Sequence, residues 1–209
     1  AINVPTILPA GRSYVPTERV TAIQHKNCTD FWIVTVIRLE GTTSNPSDKN
    51  EDVAGGIFRV FKVTPLGVAH FKDTDIPFDP NTSSVAIWHI GYLKGSRDGT
   101  RIAVANAQGQ NVLVYGFDNT NGDIDVANGK IIKVPSILND PDHARMPYGV
   151  EFSPKSKILY YTVLGDYEYH TTNPSNGYVF QHDLFSSDPN HVSVLVGTHK
   201  NDEQDDDEK

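Results

Sequence analysis

Eight histidines, one cysteine, a run of oxygen-bearing side chains and a group of tyrosines are the residues with chemistry to offer. His25, His70, His89, His143, His170, His182, His191 and His199 are scattered, with no His-x-His pair and no His-Glu-x-x-His run, so spacing alone marks no metal-binding helix. A metal held at the centre of several repeats would draw on His25 and His89, which fall in or beside expected first strands, and converging ligands of that kind leave no trace in local spacing. Cys28 stands three positions from His25 and supplies the Cys–His combination that could activate a thiolate. Ser96 and Ser153 lie outside any Gly-x-Ser-x-Gly and read as turn-initiating serines. No residue is assigned a catalytic role.

Two further groups point to binding. Asp118 to Asp125 (DNTNGDID) is rich in oxygen ligands, and Asp118, Asn119, Asp123 and Asp125 are the candidate calcium ligands. The run departs from an EF-hand, with Thr120 in the third position, Gly122 in the fifth and no Glu at the twelfth, and its plainer reading is a turn in which Asn and Gly take the left-handed conformation. Calcium is the one cofactor with any candidate site. Tyr161, Asp166, Tyr167, Glu168, Tyr169 and Tyr178 surround the stretch Gly165 to Asn176, and tyrosines beside acidic groups offer large contact area to a glycan or a protein at low entropic cost. Gly55–Gly56 and Gly95 to Gly99 match neither a phosphate loop nor a dinucleotide fingerprint.

Composition excludes several classes. The chain has 209 residues, of which 38% are hydrophobic and 21% charged, the balance of a globular protein with a real core. The net charge of -8, with no clustering of Lys and Arg, argues against a nucleic-acid partner. Part of that charge is local: Asp202, Glu203, Asp205, Asp206, Asp207 and Glu208 fall in the last nine residues, so residues 199–209 read as a solvated acidic tail. No apolar run of about 18 residues occurs, hence no membrane-spanning helix is expected. Cys28 has no partner for an internal disulfide. The start at Ala1, with neither Met nor a basic and apolar leader, fits a processed protein or an excised piece. Asn27 and Asn81 each open a glycosylation sequon, which carries weight only in a eukaryotic secretory setting.

The elements that must position these residues are short strands. Residues 1–19 carry Pro5, Pro9, Gly11 and Pro16 and read as an extended segment. From Val20 two β-rich runs flank the polar turn His25 to Asp30, and Ile57 to Val63 alternates strictly before Thr64 to Gly67. The most regular unit follows: a strand ending near Leu93, the turn Ser96 to Gly99, a strand through Ile102 to Ala105, and another through Val112 to Phe117. A further copy begins at Pro147 and closes with Gly177 to Leu184. Laying Gly91 on Gly149 puts the copies 58 positions apart, and Ala22 precedes Gly91 by 69, somewhat longer than the roughly 40–50 residues of common propeller blades. Ile131 to Asp140 reads as an irregular connection.

The reading is therefore all-β: about three propeller-like antiparallel blades near residues 20–70, 85–135 and 147–198, forming an incomplete ring. Trp32, Phe31, Phe58, Phe61, Tyr92, Val112, Val114, Phe152, Tyr160 and Phe180 are the expected packing residues. Three blades fall short of the about 4 to 8 that close a propeller. Further chain, a partner, or strands drawn from residues 1–19 and 190–198 would have to cover the open faces.

Three segments together, residues 21–35 (TAIQHKNCTDFWIVT), residues 90–99 (IGYLKGSRDG) with 114–122 (VYGFDNTNG), and residues 147–154 (PYGVEFSP), resemble the N-terminal part of the propeller in large Bacteroidetes surface proteins exported by type IX secretion and connected with gliding motility. That propeller is similar at the repeat level to WD and lactonase-like propellers. The resemblance spans residues 20 to 195. It implies an extracellular or cell-surface location and a non-catalytic binding or scaffold role, with a protein or glycan partner. Two alternatives stand beside it: a lactonase-like hydrolase with a channel metal, and a structural subunit of a surface assembly. The chain departs from the pattern where its third unit runs into the acidic tail and where no sorting domain follows.

Overall fold

The computed structural model describes residues 14–39, 56–76, 90–107, 109–135, 146–164, 177–188 and 191–199, and every regular element among them is a β-strand. β1 (Tyr14–Gln24), β2 (Phe31–Leu39), β3 (Gly56–Thr64) and β4 (Gly67–Ile76) form the first sheet. β5 (Leu93–Gly95), β6 (Arg101–Asn106), β7 (Asn111–Asp118) and β8 (Asp123–Lys133) form the second, and β9 (Met146–Phe152), β10 (Ile158–Leu164), β11 (Gly177–Asp183) and β12 (Val194–His199) the third. Within each sheet spatial order follows chain order and all pairings are antiparallel. The three sheets are thus three up-and-down blades.

Their mutual placement is that of a propeller. First strands meet first strands, β1 against β5 and β5 against β9, while the outermost β4 meets the outermost β8. The sheets stack face to face around the line of first strands, and the described blades do not close a ring.

One hairpin geometry recurs where the first strand of each blade turns into the second. The His25 amide donates to Asp30 O (3.0 Å) and Cys28 N to His25 O (2.9 Å); Ser96 N donates to Arg101 O (2.8 Å) and Gly99 N to Ser96 O (2.9 Å); Ser153 N donates to Ile158 O (2.8 Å) and Ser156 N to Ser153 O (2.8 Å). The fourth residue of each turn has positive φ: Cys28 at 60°, Gly99 at 68° and Ser156 at 55°. A left-handed residue favours Gly, so two of the three blades accept a strained side chain there. These turns define the repeat register, placing Ser96 on Ser153 and on His25. The Gly91-on-Gly149 alignment is one residue out of that register.

Period-two alternation then decides what is buried. Trp32, Val34 and Val36 of β2 with Phe58 and Val60 of β3 pack on Ile102, Val104, Leu113, Tyr115 and Phe117 of the second sheet. The opposite faces of β6 and β7, through Ala103, Ala105, Val112 and Val114, pack on Val150, Phe152, Leu159, Tyr161, Val163 and Phe180 of the third. The middle blade is buried on both faces.

Several expectations are corrected. Phe31, Tyr92 and Tyr160 are exposed rather than core residues, and Phe61 is half-buried. Phe31 and Tyr160 alternate with buried Trp32 and Tyr161, so their side chains leave the packed face. Ile131 to Lys133, read as irregular, completes β8, and β4 and β12 likewise complete their blades as fourth strands. Val194 to His199 pairs with β11 rather than supplying part of another blade. Tyr14 to Arg19, set apart as an extended segment, belongs to β1, and Pro16 is accommodated by a register shift between Pro16 and Val20. The loop from 41 to 55 and the tail from 200 lie outside the described residues.

Adjacent aromatic residues on opposite faces give a sharp test. Trp32→Ala removes a side chain 1% exposed and should cost about 3–5 kcal/mol, whereas Phe31→Ala, one position earlier and exposed, should cost less than about 1 kcal/mol. Urea midpoints of the two variants measure the difference, and equal losses would contradict the assigned strand parity.

Candidate functional site

The candidate nucleophiles sit in the repeated turns. Ser96 Oγ donates to Asp98 Oδ1 (2.6 Å) and accepts from the Arg101 (2.9 Å) and Thr100 (3.2 Å) amides. Ser153 Oγ accepts from Ile158 N (3.0 Å). Both hydroxyls are committed to closing their hairpins. Cys28 is exposed, and its thiol faces Lys26 O at 3.7 Å. His25 Nδ1 accepts the Asn27 amide (3.0 Å), and the His25 ring stacks on Trp32 with centroids 5.2 Å apart. The histidine serves the turn and the indole.

The oxygen-rich run has an architectural task. Asn119 O accepts the Trp32 indole N–H (2.9 Å) and the Lys26 amide (3.1 Å), both from the first blade. Gly122, at φ +72°, lies so close to Trp32 that an added Cβ would stand 2.9 Å from the ring. The turn between β7 and β8 is the seat of that indole. Asp118 accepts from Thr120 N (2.8 Å), which holds its carboxyl below the ordinary range. Asp125 is likewise lowered, by the Asn128 side chain, which reaches both its oxygens at 3.2 and 2.9 Å. Asp123 pairs with Lys72 of β4 across the outer rim. Among the described residues no three His, Cys, Asp or Glu side chains come together as a metal site.

Of the tyrosine group, Asp166, Tyr167, Glu168 and Tyr169 lie outside the described residues. Tyr161 is a correction: at 1% exposure it belongs to the second core, stacked on Phe180 with centroids 5.4 Å apart, because it shares a face with Leu159 and Val163. Burial pushes its phenol up to about 12. Tyr178 is half-buried against the same core. Beside them His182, 3% exposed, meets Ser193 Oγ through Nδ1 (3.1 Å), with the His191 ring 4.7 Å away.

The surface with most to offer runs along the first strands. Glu18, exposed on β1, accepts the Gly91 amide (2.7 Å) and the Tyr148 phenol. Burial and then the Glu18 charge raise the Tyr148 pKa. Tyr92 N donates to Tyr148 O (2.9 Å), the two rings lie 5.4 Å apart, and Lys94 sits 5.8 Å over the Tyr92 ring while pairing with Glu151 at 3.4 Å. Next to Glu18, Arg19 is fully buried and its guanidinium donates to Ala105 O (2.8 Å) and Ile90 O. Burial lowers it to about 10, so it stays charged at neutral pH. Tyr92, Lys94, Gly149, Glu151, Tyr160 and Thr162 line a groove of about 230 Å³ beside this axis. Aromatic faces with a paired cation and anion can hold a sugar ring or an apolar side chain. Sequence reading missed this site. The signal was the Tyr beside Gly at the start of the second and third units, which served there only to set register and core.

No family model matches the chain, and no curated protein matches it in sequence. Among solved structures it is similar to a protein from Lactobacillus plantarum at 12% identity and TM-score 0.44, covering 87% of this chain and 41% of that one. It is also similar to the periplasmic gluconolactonase PpgL of Pseudomonas aeruginosa at 13% identity and TM-score 0.42, covering 88% and 57%. A complex of KlAtg21 with the coiled coil of AgAtg16 follows at 14% identity and TM-score 0.38, covering 88% and 58%. The chain thus spans about half the length of these solved structures. Such identities transfer no side-chain chemistry.

The buried histidine predicts a pH response. Burial, then Lys130 and His191, push His182 down to about 4 from 6.5. Folding therefore favours its neutral form, and the stability it contributes is full above about pH 6.5 and lost as pH falls toward 4. The loss should reach up to about 3 kcal/mol. Urea midpoints between these pH values should fall more steeply for the native protein than for His182→Asn, and parallel curves would refute the assignment.

Proposed function

We propose that this chain is a non-catalytic binding or scaffold module of a bacterial surface or secreted protein, with its stack of blades continued by further blades from a longer chain or a partner. One observation carries the reading: each blade buries its forward face against the next, but the forward face of the third blade presents Tyr160, Leu164, Val179 and Val194 to solvent, 37–51% exposed. Those positions alternate with the buried Leu159, Tyr161, Val163 and Phe180, so they point where a fourth blade would lie. The backward face of the first blade is built differently. It holds a bidentate pair in which Arg59, 1% exposed, meets Asp73 at 2.8 and 2.6 Å. The commitment of Ser96, Ser153 and His25 to turn hydrogen bonds supports a non-catalytic role. The groove beside Tyr92 and Tyr160 belongs to that same open face, so the protein segment that continues the stack is its occupant. The cell-surface setting rests on the resemblance of residues 20 to 195.

A second reading, a lactonase-like hydrolase with a metal in the channel, is favoured by one feature, the exposed Glu18 carboxylate beside the line of first strands. The two are separated by one set of measurements on the purified protein: bound metal, hydrolysis of an aldonolactone, and binding of a hydrophobic dye. The binding-module reading expects no turnover above buffer, no stoichiometric metal, and dye emission cut by roughly half in Val179→Lys with unchanged melting. Lactone turnover abolished by Glu18→Gln would overturn it.

A further inference from the structure

Both end faces of the stack carry, in the register of the inner turns, the positions that elsewhere make the contacts between blades. Counted from His25, Ser96 and Ser153, the sixth and eighth residues on are Phe31 and Ile33 in the first blade, Ile102 and Val104 in the second, and Leu159 and Tyr161 in the third. The last four are buried against the preceding blade. Phe31 and Ile33 have no described sheet to meet, and neither do Val63 and Phe61, which pair with them as Tyr115 and Leu113 pair with Ile102 and Val104. Val20, opposite Thr35, is 60% exposed, Phe31 43%, and Val68, opposite Val63, 40%. The backward face of the first blade thus has the pattern of an interface without its partner. Its polar outer end also follows the repeat, because Arg59 stands opposite Thr35 as the buried Asn111 stands opposite Asn106. The forward face of the third blade is the counterpart. Tyr160 and Thr162 take the places of Trp32 and Val34, and of Ala103 and Ala105, all four buried against a following blade. Val179, opposite Thr162, takes the place of Val60 and Val112.

We infer that a second copy of this chain covers both faces at once, its first blade stacked on this third blade and its third on this first, so that two three-bladed chains close one six-bladed ring about a two-fold axis. The inference rests on the reading that the stack is continued, and it names what continues it. Two observations select the second copy. Each junction joins a forward face to a backward one, and the chain leaves one of each open, so a head-to-tail copy satisfies both. The count fixes the number: propellers close with about 4 to 8 blades, and at three blades per chain one copy falls short, three overshoot, and two fit. The contact chemistry agrees. At the first junction the forward-facing Trp32 indole N–H donates to Asn119 O (2.9 Å), in the turn between the third and fourth strands of the next blade. Tyr160, in the place of Trp32, carries an O–H, and the corresponding turn of the second copy's first blade, Thr64 to Gly67, presents Leu66 at 98% exposure.

The three blades hold both cores without a partner, so the chain folds alone and associates reversibly. Sedimentation equilibrium over a concentration series should show monomer and dimer with no larger species, and hydrophobic-dye emission per chain should fall as the dimer forms. Val179→Lys and Phe31→Glu, exposed positions at opposite ends of the stack, should each raise the dissociation constant roughly tenfold or more, with melting of the dilute monomer unchanged. Mixed together, the two variants should dimerise more tightly than either alone, because the mixed pair keeps one native junction and sets Lys against Glu at the other. Leu195→Lys, on the edge strand and opposite Phe180, sends its side chain to the other face from Val179 and should leave the dimer intact. A native chain that stays monomeric throughout the series overturns the inference, as does growth into longer arrays. So does a dimer that survives Val179→Lys or Phe31→Glu, a mixture no tighter than its components, or a dimer broken by Leu195→Lys, which would join copies through strand edges. A lasting monomer that still binds dye through Val179 leaves the continued stack standing, whereas lactone turnover lost in Glu18→Gln removes the binding-module reading whatever the sedimentation shows.

Discussion

The double burial of the middle blade is the constraint on which the rest depends. β6 sends Ile102 and Val104 into one core and Ala103 and Ala105 into the other. Neither neighbouring sheet has another described sheet to pack on, so the hydrophobic stabilisation of all three blades passes through this one strand and β7 beside it. The two sides are unequal. Toward the first blade the partners are large, with Trp32 and Phe58 meeting Tyr115 and Phe117; toward the third, small alanines face Tyr161 and Phe180. At the second of these interfaces bulk on one side is matched by its absence on the other, as close packing requires.

Around that core the polar groups tie blade to blade. Trp32 and Lys26 reach Asn119, Arg19 reaches Ile90 and Ala105, Glu18 reaches Gly91, and Tyr92 reaches Tyr148. Most of these bonds end on backbone carbonyls or amides rather than on side chains. The geometry therefore depends on the course of the chain, and little of it is visible as a motif. Arg19 illustrates the point: a lone arginine in a strand reads as a surface residue, yet it is fully buried because two carbonyl oxygens of the second blade converge on it.

The architecture was legible because its signals are local. Alternating apolar residues, three polar turns and a repeat of roughly blade length appear in any reading of residues 20 to 184, and the structure contains three blades with those turns at their inner hairpins. The fourth strands were less legible. β4 and β8 are exposed and charged, so their apolar content falls below what marks a strand, and β12 is short. Parity was the other weakness. Tyr160 and Tyr161, or Phe31 and Trp32, are chemically alike, and only the register of the neighbouring strand shows which is buried. The groove beside Tyr92 and Tyr148 brings together residues more than fifty positions apart. Nothing in either local stretch announces the other.

The buried Arg19 also constrains the order in which the molecule can be made. Its two carbonyl partners lie 71 and 86 positions further along the chain. At the roughly 5–20 residues per second of protein synthesis, the guanidinium waits about 4–17 s for the second of them to appear. Until then the first strand can pair with β2 but cannot bury its arginine. The blade of β1 to β4 is thus held to a provisional state, and its innermost strand is finished by a blade that does not yet exist when it leaves the ribosome.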